Sequence, residues 1–492
     1  MKTLSKYGLD KTVLSPRKVS FLRRQTHSNP MIPVRRIGVL LAFTLLITTF
    51  MAGCGGGNDS AIVGVSNAPD QILFSITAYE DFDATSSRTV SWRTPEDMTQ
   101  SSVYLLMGTT PDDDMAWNSA IEIPGEMTAA AELSENYGKY NHFETQITGL
   151  VAGEYTYRVG ASGGIDFTVA HSSEDGVSGG QSADAAYGVS DPMEFTIRSP
   201  EEMQQRSVFL YFGDAQPDAS IEEYATFGAL VGAARAANPD ADLALQCGDI
   251  GNQGSAREEW SAFLQAASPA FEGLPLLTAP GNHEVTPYVN APGRKPVYYL
   301  NVFSLPKNGP EGFEEEYYSL DYGDAHILSL SSNYLDPFES YSDDEAESAR
   351  IAAEIDAWIE EDLANAGYRW KIVLMHQPAY PLVGDSTTTG MTERWIPIFD
   401  RAGVDLILCG HQHAFMRTWP LVGGKEDAAG LVQIMGNASQ KSYEDNAALL
   451  PFVAFEMGGI SGWHTVTVSP HHLSVDAFDS TARLLDSWIK EK

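Results

Sequence analysis

The sequence predicts an all-β domain over residues 69–199 followed by an α/β domain of mixed sheet character over residues 205–480. Three observations predict this. Short runs rich in β-branched and aromatic residues, separated by turn residues, fill the first stretch. From about residue 205, apolar strand-like runs alternate with segments whose apolar positions are spaced by three and four. The chain has 492 residues, more than one ordinary core holds, and its 43 % apolar and 10 % aromatic content is enough to build two.

The N-terminus reads as an address. Arg35-Arg36 precede an apolar run from Ile37 to Phe50 that ends in Met51-Ala52-Gly53-Cys54. That is the order of a basic region, an apolar region and a small-residue cleavage site. The run is shorter than the ~20 residues of a spanning helix. The residues around Cys54 resemble a bacterial lipoprotein lipobox, although Met51 is a less usual residue there. The resemblance implies a signal peptide over 1–53, lipid on the Cys54 sulfur, and an exported protein anchored to a bacterial membrane at the periplasm or cell surface. Secretion after a plain signal peptide, or a retained anchor, are the other readings. Met31 is a second candidate start. Residues 54–68, opening with Gly55-Gly56-Gly57, read as a flexible linker.

The charge narrows the partners. Net charge is −35; without residues 1–53, 22 basic and 65 acidic residues remain, a net charge of −43. Such a surface repels polyanions, which argues against nucleic-acid wrapping. Oligomeric state is not legible. Besides Cys54, Cys247 and Cys409 each end an apolar strand and read as small sheet residues rather than as a disulfide.

In the first domain, Gln71–Ile76, Thr89–Arg93, Ser102–Leu106 and Glu154–Val159 read as strands, with Trp92 a core residue. Residues 161–191, rich in Gly, Ser and Asp, read as a long insertion. In the second, strands are expected at Ser207–Phe212, Ala241–Gln246, twice within 317–331, and at Trp370–Met375, Asp405–Leu408, Leu431–Met435, Trp463–Val468 and Leu473–Phe478. Helices are expected at Ile221–Ala237, Arg257–Ala267, Glu345–Ala366 and Glu393–Ala402, with 481–492 a C-terminal tail.

Polar clusters follow five apolar runs: Gly213-Asp214-Ala215-Gln216, Gly248-Asp249, Gly281-Asn282-His283-Glu284, His376, and Gly410-His411-Gln412-His413. Ligands of open α/β sheets bind beyond the carboxyl ends of the strands, so the five can converge on one crevice. Glycine before Asp or His lets the backbone turn tightly and present the side chain. Two Asp, one Asn and three His exceed the needs of one tetrahedral site and suit two first-row metals sharing a carboxylate. Taken singly, a Gly-Asp pair is usually a turn and a buried His a hydrogen-bonded core group. The weight lies in the set.

The five stretches, in this order, resemble the calcineurin-like metallophosphoesterase family over roughly 205–480. The purple acid phosphatase branch is the nearest likeness, carried by Val373-Leu374-Met375-His376 and by the β-domain. That domain is similar to the fibronectin-type-III-like domain of that branch in Val90-Ser91-Trp92, in the Leu150–Val159 turn and strand, and in Met193-Glu194-Phe195-Thr196. The resemblance implies an α/β four-layer sandwich of two mixed sheets flanked by helices. It implies two metal ions (Fe, Zn or Mn), one held by Asp214 and His413, the other by Asn282, His376 and His411, with Asp249 bridging. Cations ~3.5–4 Å apart clamp a phosphoryl group and activate water between them. His283 is expected to protonate the leaving group or stabilise its charge, its ring oriented by Glu284 or Asn252.

Departures from the family matter. Purple acid phosphatases carry a metal-binding Tyr three residues after the bridging Asp, and here that position is Asn252. Other members carry a His two residues after the first Asp, and here it is Gln216. No purple charge-transfer band is therefore expected. Gln216, Asn252 and Glu284 stand as candidate ligands or as groups that hold ligands in place. No His lies between His376 and His411, where plant-like members have a second catalytic one. Gln253 replaces a phosphate-binding Arg, for which Arg394 and Arg417 are candidate substitutes. His326 reads as a hairpin residue, His464 as part of a late β segment and a candidate support for the ligands, and His471 and His472 as solvated turn residues; Tyr380 and Phe415 read as packing residues, with pocket lining as the alternative.

The expectation is an exported phosphatase acting on small phosphate monoesters through a metal-bridging hydroxide. The alternatives are a phosphodiesterase or nucleotide hydrolase, decided by loops 285–316 and 381–392, or a catalytically weak surface-binding protein.

Overall fold

The structure, a computed structural model, describes residues 68–77, 84–111, 114–134, 138–162, 188–285, 295–336, 340–384, 386–443 and 450–492, with side chains from 129 to 139 excepted. The signal peptide, Cys54 and nearly all of the linker lie outside the described residues, as does most of the 161–191 insertion. Residues Ala61–Lys492 make one compact unit.

Two four-stranded antiparallel sheets form the N-terminal part. One orders Asp70–Ser75, Arg88–Pro95, Gly138–Ile147 and Glu126–Ser134; the other Ile121–Pro124, Ser101–Met107, Gly153–Ala161 and Met193–Ile197. Alternation places one face of each inward: Met193, Phe195 and Ile197 are buried while Glu194 and Thr196 are exposed. Their core joins Ile72, Phe74, Val90 and Trp92 to Val103, Tyr157, Val159 and Phe195. Trp92 stacks on Phe143 at 5.8 Å, and its Nε1 donates to Ser101 Oγ at 3.0 Å.

This sandwich is joined to the second part by packing as well as by chain. Leu73 and Ile76 belong to the same buried cluster as Phe263, Leu264 and Phe271 of helix Arg257–Phe271. Tyr157 OH donates to Glu272 O at 2.6 Å, and Ser268 Oγ to Ile72 O at 2.8 Å.

Two larger sheets follow. The six-stranded one runs Leu276–Thr278, Leu243–Gln246, Ser207–Phe212, Gly462–Val468, His472–Asp479, Leu484–Glu491. Its first three strands are parallel. The seven-stranded one runs Tyr317–Tyr322, Ala325–Leu330, Trp370–Met375, Leu406–Cys409, Val432–Met435, Phe415–Thr418, Val453–Met457. Its central pairs are parallel too. Helices Tyr224–Ala237 and Arg257–Phe271 cover one outer face; Glu345–Asn365 and Ile396–Ala402 cover the other. Strands covered on both sides carry unbroken apolar runs, and every residue of Ser207–Phe212 is buried.

The C-terminus corrects one expectation. Residues 481–492 are not a tail: Leu484–Glu491 pairs antiparallel with His472–Asp479 and forms an edge of the six-stranded sheet. Its alternation, with Leu484 and Ile489 more than half exposed, is the weak signature of an edge strand. Cys247 and Cys409 are buried free thiols.

Candidate metal centre

The site residues sit where parallel strands end. Asp214, Asp249 and the Asn282–Glu284 turn follow three adjacent strands of the six-stranded sheet. His376 and the His411–His413 turn follow two adjacent strands of the seven-stranded one. The carboxyl ends of two facing sheets thus supply one cluster. Asp249, His411 and His413 all take positive φ (51°, 71° and 47°). Side chains rarely adopt that region, and the residues that do so concentrate at functional turns. Close approach explains the glycines. A Cβ on Gly410 would lie 2.5 Å from Asp214 Oδ2, and one on Gly281 would collide with Asp249.

One half of the cluster centres on His376, which is fully buried. Its Nδ1 donates to the Cys247 carbonyl at 2.9 Å, which leaves the Nε2 lone pair facing inward. That Nε2 meets Asp249 Oδ2 at 3.0 Å, Asn282 Oδ1 at 3.1 Å and His411 Nδ1 at 3.2 Å. Ligand atoms of Asp249, His376 and His411 lie within 4.8 Å of one another.

The other half shares the same carboxylate oxygen. Gln216 Nε2 lies 3.2 Å from Asp249 Oδ2 and 3.0 Å from His413 Nε2. Among the described residues, the buried Gln216 Oε1 and His413 Nδ1 have no hydrogen-bond partner. Both Asp214 carboxylate oxygens accept the His411 N–H, at 2.9 Å each. The donor set fits cations: lone pairs converge without enough protons to separate them, and orphaned buried polar atoms remain.

Electrostatics agree with this crowding. Burial alone would raise the Asp249 carboxyl, but the His376 and His283 imidazoles hold it well below the usual carboxylate range. Burial would lower His376, yet Asp249, the Cys247 hydrogen bond and Asp214 push it well above an ordinary histidine. Burial keeps His413 below its usual value against the pull of Asp214 and Asp249.

His283 stands at the rim with a quarter of its side chain exposed. Its backbone N–H donates to Asp249 Oδ1 at 3.0 Å, and its Nε2 lies 3.8 Å from Asp249 Oδ2. Its Nδ1 meets the Asn252 backbone carbonyl at 2.6 Å. The ring is therefore oriented by Asn252, through the main chain, and not by Glu284. The Asn252 amide donates instead to Pro217 O at 2.9 Å. Glu284 accepts N–H bonds from Asp249, Ile250 and Gly281 at 2.7–2.9 Å. It ties two turns together. Burial, then repulsion from Asp249, pushes its carboxyl up to about 7 despite those donors.

Arg394 and Arg417 do not serve as phosphate ligands here. Arg394 is bound to Asp356 and Arg417 to Asp486; each guanidinium is already committed to a carboxylate. Tyr380 and Phe415 are packing residues, and His464 is buried between Tyr211 and Phe415.

Three residues of the site, Asn437, Lys441 and Tyr443, escaped the sequence reading, and a fourth, Gln412, stood in the His411–His413 turn without a role. Asn437 is fully buried and bridges to Asp214; its Nδ2 donates to Ser439, Lys441 and Ile460 carbonyls at 2.9–3.2 Å. This fixes a loop that presents Lys441 and Tyr443. Tyr443 packs its ring edge-on against His413 at 4.9 Å, and its N–H donates to His413 O. Gln412 Oε1 accepts the N–H groups of Leu382 and Val383, tethering the 381–384 loop to the histidine turn. The signal for Asn437 was present: Met435-Gly436-Asn437 is a sixth apolar strand ending in Gly and a polar residue.

Comparison with known proteins follows the same outline. Residues 208–415 match the family model described as calcineurin-like phosphoesterase. An uncharacterized protein of Mycobacterium tuberculosis is 30 % identical over 177 residues, covering 33 % of this chain and 32 % of that protein. Purple acid phosphatase 18 of Arabidopsis thaliana is 27 % identical over 194 residues, covering 38 % and 41 %. The similarity thus spans about a third to two-fifths of these relatives' length. Among solved structures, the purple acid phosphatase PPD1 from yellow lupin (Lupinus luteus) seeds shares the fold, with a TM-score of 0.63 at 17 % identity over 86 % of this chain and 74 % of that one.

Proposed function

We propose that this chain, which carries a calcineurin-like phosphoesterase domain over residues 208–415, is a phosphatase that hydrolyses small phosphate monoesters with two metal ions. Asp214, Asp249 and His413 would hold one ion, and Asp249, Asn282, His376 and His411 the other. The observation that carries the reading is Asp249 Oδ2, which lies within 3.2 Å of both the His376 Nε2 and Gln216 Nε2 positions. The two ions, when bound, supply Lewis acidity and an activated water.

The chain's own residues supply the rest. Asp249 holds both halves of the centre at a fixed separation. Glu284 fixes the turns bearing Asp249 and Asn282 through three main-chain bonds. His283, with Nδ1 held by Asn252 O and Nε2 3.8 Å from Asp249 Oδ2, can give a proton to a leaving oxygen. Lys441, whose charge is felt at His413, adds positive potential that suits a dianionic monoester.

Metal analysis of the purified protein, with turnover of p-nitrophenyl phosphate and its bis-ester, tests the reading. Two metals and a preference for the monoester are expected. Preference for the bis-ester would indicate a phosphodiesterase, and absence of bound metal a surface-binding protein. Export with a lipid on Cys54 is part of the proposal and rests on the 35–54 sequence. Among the described residues no helix is long and apolar enough to cross a membrane. A Cys54→Ser chain should leave the membrane fraction.

A further inference from the structure

We infer that the side-chain carbonyl oxygen of Gln216 is a ligand of the ion held by Asp214, Asp249 and His413. That half of the centre then has three oxygens and one nitrogen, a set suited to divalent ions such as Mn2+. The inference rests on the function proposed above and specifies one of its two metal sites.

The placement is built rather than incidental. Gln216 sits four residues past strand Ser207–Phe212, and its backbone N–H donates to the Asp249 carbonyl at 3.0 Å. The side chain is completely buried. Its nitrogen faces two acceptors, Asp249 Oδ2 and His413 Nε2, while its oxygen has no partner among the described residues. An amide that stays this way fills the gap between a carboxylate and an imidazole but leaves its own buried carbonyl without a partner among the described residues.

Rotating the terminal amide by 180° exchanges two atoms of nearly equal size. The oxygen then points at the spot that Asp249 Oδ2 and His413 Nε2 already share, and the NH2 group takes the orphaned position. That orientation is unfavourable without a cation, because three lone-pair donors meet. With a cation it completes a coordination sphere. One amide therefore serves both states, as donor when the site is empty of metal and as ligand when it is filled.

An amide oxygen is a harder and weaker donor than imidazole, and carboxylate and carbonyl oxygens favour Mn2+ or Mg2+ over softer ions. The Asn282–His376–His411 half has two nitrogens and should bind first and more tightly.

The test titrates the full-length apoprotein with Mn2+, counting bound metal by equilibrium dialysis, and with Co2+, reading the visible absorption. Wild type should bind two ions, the second at least tenfold more weakly. Gln216→Leu, which keeps the shape and removes the carbonyl, should retain the tight site and weaken the loose one a further tenfold or more, with a change in the Co2+ spectrum of the second equivalent. Gln216→Glu should tighten the loose site. Wild-type binding and an unchanged Co2+ spectrum in both variants would overturn the role of Gln216 alone. A wild type that binds fewer than two ions would overturn the two-metal function itself. Should Gln216→Leu fail to fold, the Gln216→Glu titration decides.

Discussion

Two histidine–carboxylate clusters in this molecule look alike by composition and differ in one physical respect. His326 lies buried between Asp321 and Asp362, and both ring nitrogens are hydrogen-bonded at 2.8 Å. Asp362 also accepts from Ser319 Oγ, and Asp321 pairs with Arg369 at 3.3 Å. Charges balance and donors match acceptors. Around Asp249 the count fails: His376 Nε2, 3.0 Å from its carboxylate, also meets Asn282 Oδ1 and His411 Nδ1, and buried atoms of Gln216 and His413 have no partner among the described residues. A closed cluster is finished by folding, whereas an open one needs something from solution.

The largest expected effect tests the open cluster. Asp249→Asn removes the one carboxylate shared by both halves, and kcat for p-nitrophenyl phosphate should fall by ~10³-fold or more. Bound metal should fall below two ions per chain. His326→Gln should leave kcat and metal content unchanged. If His326→Gln instead removes metal, or Asp249→Asn leaves kcat intact, the distinction between the clusters is lost.

Metal removal sharpens the same contrast. Ions that bind only the folded chain stabilise it by mass action, ~4 kcal/mol at a thousandfold excess over Kd. Chelation should therefore lower the wild-type melting temperature. Asp249→Asn should show a much smaller shift on chelation, and His326→Gln the full one. Parallel melting scans with and without chelator measure both.

The closed cluster carries its own pH signature. Burial would lower His326, but hydrogen bonds and charge from Asp321 and Asp362 win and push it up to about 9. A raised folded-state value stabilises the fold fully below the unfolded value near 6.5, and that contribution is lost as pH rises from there through 9. The shift corresponds to ~3 kcal/mol at most, and to less in practice because Asp321 is nearly half exposed. Denaturant midpoints of wild type should fall between pH 6.5 and 9, and those of His326→Gln should stay flatter across that window. Equal slopes would show that the ion pairs contribute nothing.

How legible these clusters were depends on the range of the interactions that build them. Strand Trp370–Met375 and helix Arg257–Phe271 follow from local apolar periodicity, so the first was found with its full span and the second with its start. Strand Leu484–Glu491 was missed because an edge strand buries little and alternates weakly. At the site, Gly-Asp and Gly-His pairs stand out because close backbone packing demands glycine. Gly436-Asn437 obeys the same rule and was passed over because it carries no charge and no imidazole. The orientation of His283 by a backbone carbonyl has no sequence signature, since every residue has one. Nor did Arg394 and Arg417 reveal that Asp356 and Asp486, distant in sequence, already bind them.

The smallest expected effect asks how much of the open cluster's geometry comes from packing rather than from ligands. Tyr443 is 47 % exposed, yet its ring meets His413 edge-on and its N–H holds the His413 carbonyl. Such a contact is worth ~0.5–1.5 kcal/mol. Tyr443→Ala keeps the main-chain bond and removes the ring, so His413 gains freedom without losing its place. A roughly 3- to 10-fold weakening of the more loosely held metal ion should follow, by the same energy, while Tyr443→Phe should match wild type. Equilibrium dialysis with Mn2+ measures it. If Tyr443→Ala binds both ions as wild type does, the His411–His413 turn alone holds the imidazole in place, and its positive-φ backbone is rigid without aromatic support.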